Sequence, residues 1–179
     1  MHTNELLDAA LACGAAKAAV IPGNQIVTSP TFFDICRQNS CGNFGRCWMC
    51  PPDIGDIHQL IERVHQYEHG LLYQTIGELE DSFDIEGMQE AGFHHAQVSQ
   101  KVEAAVSALL PKDHLHLSCG GCRLCETCAK RTGEPCRHPD RVLPPMEGYG
   151  IDVNQTVKPT ELKYLNGQNT ETFFGIVLF

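Results

Sequence analysis

Nine of the ten cysteines fall in two short stretches, Cys36 to Cys50 and Cys119 to Cys136, and that distribution constrains the chain more than any other feature. A chain of 179 residues buries roughly 70% of its unfolded surface, so it needs no covalent staples to fold. Its cysteine density is also below that of a disulfide-bonded miniprotein. The first residues, Met1-His-Thr-Asn-Glu-Leu-Leu-Asp8, carry no basic region, and Glu5 and Asp8 interrupt any apolar run, so they do not read as a secretory leader. No stretch reaches the roughly 18 apolar residues of a membrane span. The expectation is a cytoplasmic protein in which clustered thiols serve metal or redox chemistry.

The second stretch carries the more regular spacing. Cys119-Gly-Gly-Cys122-Arg-Leu-Cys125-Glu-Thr-Cys128 is followed after seven residues by Cys136-Arg-His-Pro139. A C-x2-C-x2-C run wraps three thiolates around one face of an iron–sulfur cubane, and a more distant cysteine closes the fourth corner. Cys122, Cys125, Cys128 and Cys136 fit that pattern. Cys119 extends the series beyond the need of one cluster and is placed second. Structural zinc, the alternative metal, usually takes two C-x2–4-C knuckles a dozen or more residues apart.

The first stretch is Cys36-x4-Cys41-Gly42-Asn43-Phe44-Gly45-Arg46-Cys47-Trp48-Met49-Cys50-Pro51-Pro52. Cys36, Cys41, Cys47 and Cys50 supply enough thiolates for a second cluster, and glycines 42 and 45 let backbone N–H groups approach inorganic sulfur. Cys47-Trp-Met-Cys50 also has C-x-x-C spacing, but it lies in a loop and does not open a helix after a strand, as a thioredoxin-like motif does. Trp48 is a candidate shield for the first cluster. Arg137, next to Cys136, is a candidate hydrogen-bond donor to cluster sulfur.

Around these loops the pattern predicts helices over 4–13, from Ser29-Pro30 to Cys36, over 56–67 and over 84–110, the last either continuous or broken at Gly92. Strands are predicted at 15–21, 70–76, 115–118 and 172–179. Gln25–Thr28 is read as the return of a hairpin, and a further helix is expected at about 145–150 or 158–165. The reading is an α/β or α+β single domain over 1–179, with a sheet of four or five strands covered by helices and cysteine loops at about 36–52 and 119–139.

Read together, the two loops resemble a cysteine-rich family of predicted metal-binding proteins, domain of unknown function 2284. The resemblance rests on Cys36 to Pro52, Gly120 to Cys128, Cys136-Arg137 with Pro139, the block Pro145-Met-Glu-Gly-Tyr-Gly-Ile-Asp-Val153 and the apolar terminal strand. It implies cysteine-bound metal and no particular reaction. It also implies that the first loop supplies three ligands, matching Cys36, Cys41 and Cys50, with Cys47 additional and Pro145 standing where the family has serine. Whether Cys47 closes the first cluster or leaves one iron to another ligand stays open.

Other residues have ordinary readings. His94 and His95 are adjacent and point about 100° apart on a helix, so they do not converge on one ion. His65 and His69 have zincin spacing, but Gln66 stands where that motif needs glutamate. Cys13 is read as core. Glu147, Tyr149 and Asp152 either shape a pocket beside the second loop or pack and cap a helix. No phosphate-binding loop or nucleophile elbow is present. The net charge of −9 opposes binding to a phosphate backbone and suits a basic redox partner. The leading expectation is a protein with two 4Fe-4S clusters that transfers electrons to a partner protein or serves as a small reductase component. The alternatives are a metal-stabilised scaffold, holding zinc or clusters, and an enzyme with an exchangeable iron.

Overall fold

A computed structural model describes residues 3–179. Its framework is a four-stranded sheet in the order β1 (Lys17–Pro22), β2 (His69–Glu78), β4 (Thr170–Leu178), β3 (Leu115–Leu117), with every pairing antiparallel. Of the two expected classes the chain is therefore α+β. The central pair is the longest, with Gly70 opposite Leu178 and Glu78 opposite Thr170. Both strands are apolar on both faces, which a sheet requires when helices cover each side.

The two faces sort by alternation along the strands. Leu72, Phe174, Ile176 and Leu178, with Leu115 and Leu117, face one core layer, where they meet Val64 of helix α3 (Ile57–Val64), Met146, Tyr149 and Val157 of helix α5 (Val153–Val157). Leu71, Tyr73 and Val177 face the other layer, against Leu6 and Ala10 of helix α1 (Thr3–Ala12) and Val98, Val102 and Val106 of helix α4 (Ile85–Val106). A short helix α2 (Thr31–Arg37) carries Cys36 in its last turn. Cys13 packs against the α1–α4 layer, as expected of a small apolar side chain.

Two expectations are corrected and one alternative is decided. Gln25–Thr28 does not return as a hairpin strand. The turn after Pro22 enters a 3₁₀ segment, Gly23–Gln25, and Thr28 makes only an isolated bridge to Ile151. Val27 is exposed and offers no alternating apolar face, whereas β2 gives β1 a long buried partner. Helix α4 runs unbroken through Gly92. That glycine serves close approach, since a Cβ there would lie 2.8 Å from the Arg123 guanidinium. The late helical segment is divided into a 3₁₀ turn, Met146–Tyr149, and α5. Residues 158–165 stay irregular because Pro159 cannot continue a helix.

Candidate metal centre

The first cysteine loop leaves the end of α2 and rejoins regular structure at α3, whose N-terminus is capped by Asp56 accepting from the N–H groups of His58 and Gln59. Between them lie tight turns: Gly42 N–H donates to Asn39 at 3.0 Å, Arg46 N–H to Asn43 at 3.0 Å and Gly45 N–H to Pro51 at 2.9 Å. Gly42 and Gly45 have φ of 74° and 65°, the left-handed region that glycine enters without penalty.

The second loop is an excursion from the end of β3. Ser118 N–H donates to Pro144 and Met146 N–H donates to Ser118, both at 2.8 Å, so the chain leaves and returns at one point of the sheet edge. This return sets Glu147, in the 3₁₀ turn, directly beside the cysteines. Asp152, by contrast, caps α5 by accepting from Gln155 N–H, and Tyr149 is buried in the core, so those two pack and cap.

The loops form one interface. Trp48 Nε1–H donates to the Glu134 carbonyl at 2.9 Å, and the Lys130 ammonium lies 4.1 Å from the centre of the Trp48 ring while also pairing with Asp53. Trp48 thus ties the loops together. A Cβ on Gly121 would stand 2.5 Å from the Asn43 amide nitrogen, so Asn43 of the first loop fits against the second only because residue 121 has no side chain.

Cys47 marks the seam. Its buried sulfur lies close to Cys50 and Met49 of its own loop and to Cys122 and Cys128 of the second. These contacts, Cys50 first, hold Cys47 below the usual thiol range despite its burial. Cys50 moves the opposite way, because its proton is shared with Cys47 and because burial and the neighbouring Cys41 and Cys36 disfavour its charge. Taking up a metal here must therefore release a proton.

Two groups of thiols flank this seam. Cys36, Cys41 and Cys50 line a cleft of about 270 Å³ together with Glu147. A single water needs only about 10–15 Å³ measured this way, so the cleft has room for far more than one ion. Cys122, Cys125, Cys128 and Cys136 line a second, much smaller cavity of about 20 Å³, close to one water. Arg137 lies beside Cys125 and donates to the Thr127 carbonyl at 3.0 Å and to the Glu134 carboxylate at 3.2 Å. Cys119 lies against the apolar layer, and burial pushes its thiol up. Among the described residues no group of three Cys, His, Asp or Glu is gathered around one point as a single-ion site.

Glu147 is the anomaly of the first cleft. Its carboxyl lies near the Gly120 N–H, yet Oε2 is buried with no hydrogen-bond partner. Burial raises its pKa and, in turn, its charge raises that of Cys36 after the larger effect of burial. A buried acceptor left unpaired costs ~1–3 kcal/mol.

Two features carry no motif that would have revealed them. Arg123, between two candidate ligands, lies over Gly92 with its guanidinium 5.9 Å from both the Phe93 and Phe173 rings. Beneath the second loop runs a buried polar chain. Glu103 meets His114 and His116 at 3.0 and 2.8 Å. His116 meets Tyr73 at 2.7 Å, Tyr73 meets Ser99 at 2.7 Å, and Ser99 meets both His95 and Ser118 at 3.3 Å. His95 ends the chain on Thr75 at 2.9 Å while His94 faces solvent, so this pair does divide between inside and outside.

Compared with known protein families, residues 19–179 match the model of one described as "Predicted metal-binding protein (DUF2284)". The chain belongs to that family. The match spans both cysteine loops, the cleft and all four strands except the first two residues of β1. No curated protein and no solved structure matches the chain. Metal binding is accordingly the family property, and none of the helices among the described residues is long and apolar enough to cross a membrane.

Proposed function

We propose that the chain binds two 4Fe-4S clusters, one against each cysteine group, and passes electrons to a redox partner protein. The observation that carries this reading is the interface of the two loops, where Gly120 and Gly121 of the second line the cleft of Cys36, Cys41 and Cys50 and Trp48 bonds the Glu134 carbonyl. Centres held by Cys36, Cys41 and Cys50 on one side and by Cys122, Cys125, Cys128 and Cys136 on the other would be immediate neighbours, which favours electron passage between them. The all-sulfur character of the second group and the C-x2-C-x2-C spacing suit iron–sulfur ligation. Bound clusters supply reversible one-electron chemistry. Arg137 beside Cys125 would tune that centre by donating toward its sulfur, and the net charge of −9 favours a basic partner surface.

A second reading applies to the second loop alone. Its cavity of about 20 Å³ is the size of a single ion, which its thiols would hold only after drawing together, whereas a cubane requires the loop to open. In that case zinc would tie the loops together and serve structure only. Iron, sulfide and zinc analysis of anaerobically purified protein, with its absorbance spectrum, separates the readings. The expected result is about eight irons and eight sulfides per chain, from two 4Fe-4S cores, with half of each lost in Cys125→Ala. One equivalent of zinc that Cys125→Ala abolishes, leaving the iron unchanged, would establish the second reading.

A further inference from the structure

We propose that Glu147 supplies the fourth ligand of the first centre, so that Cys36, Cys41 and Cys50 hold three irons and a carboxylate oxygen holds the last. This rests on the iron–sulfur reading above and adds a role for a side chain outside both cysteine motifs.

Three observations converge. Cys36, Cys41, Cys50 and Glu147 line the same cleft, whose size of about 270 Å³ admits a polynuclear group. The remaining thiol of the first loop, Cys47, is buried away from this cleft and is not part of its lining. Finally, Glu147 presents a buried oxygen that no protein group satisfies. Buried polar atoms in folded proteins find partners, and an orphan beside three thiols calls for a cation to complete it. Met146 fixes the position of this carboxyl, because it is fully buried and its N–H is bound to Ser118.

The chemistry differs from that of a fourth thiolate. A carboxylate oxygen is a harder donor than sulfur and holds a cluster iron less firmly. A small donor entering past Phe32 and Phe44, which also line the cleft, would displace it: the iron–oxygen bond breaks, the entering ligand donates its own electron pair, and no oxidant or reductant is needed. The site would therefore accept small anions and thiolates at one iron, which a carrier with four cysteine ligands does not.

The test uses anaerobically purified, ⁵⁷Fe-enriched protein, with cyanide as the probe. Mössbauer spectra of the parent should contain one iron with its own parameters, and cyanide should shift that iron alone. In Glu147→Gln the distinct iron should change while the others keep their parameters, and the cyanide concentration for half-conversion should fall about tenfold. Glu147→Cys should make all irons of the centre alike and abolish the cyanide response, a gain that damage to the fold would not produce. A parent whose irons are all alike, in which Cys47→Ala creates a distinct iron while Glu147→Gln changes nothing, would assign the corner to Cys47 and overturn the proposal. Absence of acid-labile sulfide would overturn the iron–sulfur reading itself, whereas a sulfide-containing parent with no distinct iron overturns only the role of Glu147.

Discussion

Acidification from pH 7 to pH 5 is expected to cost the folded chain about 2 kcal/mol through His95 alone. Burial, with a smaller contribution from the neighbouring His116, holds the imidazole of His95 near a pKa of about 3. In the unfolded chain the same group titrates near 6.5. Below that value the unfolded state takes up a proton that the folded state refuses, so stability falls as the pH drops, by about 1.4 kcal/mol per unit. The contribution is fully present above 6.5 and is lost progressively toward 3. His116 is shifted in the same direction by its burial and adds to the slope. Glu103, held at about 2 chiefly by its bond to His116, contributes stability that is present above about 4.5 and lost only below it. The window between pH 6.5 and 4.5 therefore belongs to the histidines. Urea denaturation of the parent and of His95→Asn across that window should give curves whose slopes differ by about 1.4 kcal/mol per pH unit. Parallel curves would mean that burial does not hold the ring neutral.

Removal of the metal should release both cysteine loops while leaving the sheet folded. The two core layers draw almost nothing from the loops: Ile54 and Cys119 touch one layer from its margin, and no residue of 120–143 belongs to either. What joins the loops is a small set of polar contacts, the Trp48–Glu134 bond, the Lys130–Asp53 pair and the sulfur contacts of Cys47. Ligand bonds must therefore supply much of the ordering free energy, as they do in small metal-folded modules. Chelator-stripped, reduced protein should be cut by trypsin within the loops, at Arg46, Arg123 and Lys130, about tenfold faster or more than the loaded protein, because local opening becomes cheaper. Far-UV circular dichroism should change little. Loops as resistant without metal as with it would show that their own contacts suffice.

How much of this was legible in the sequence depends on the range of the interaction concerned. The alternation of Leu71, Leu72 and Tyr73 and the run from Phe173 to Leu178 mark buried strands, and the apolar stripe of Val98, Val102 and Val106 marks α4, because these signals are local. Strand order is not local. β1 bypasses its own turn to pair with β2, and β4 enters between β2 and β3, choices made by tertiary packing. The same limit applies at the site. Both cysteine loops stand out by composition, but spacing alone groups Cys47 with Cys36 and Cys41. The structure instead buries it outside the cleft of Cys36, Cys41 and Cys50, next to Cys122 and Cys128, 75 residues or more away in sequence. Glu147 lacks any motif-level signature as a ligand, because its significance arises from a carboxyl oxygen that the folded chain leaves unpaired. Arg123 and the His116–Tyr73–Ser99 chain were hidden for the same reason.

Two clusters sharing one seam, as proposed, would be tested most directly by electron paramagnetic resonance of the fully reduced, anaerobically purified protein. The expected spectrum is broadened and split by interaction between neighbouring reduced clusters, and it simplifies to the lines of a single isolated centre in Cys125→Ala. A colourless protein carrying zinc and no sulfide, or two reduced clusters whose signals add without interaction, would contradict it.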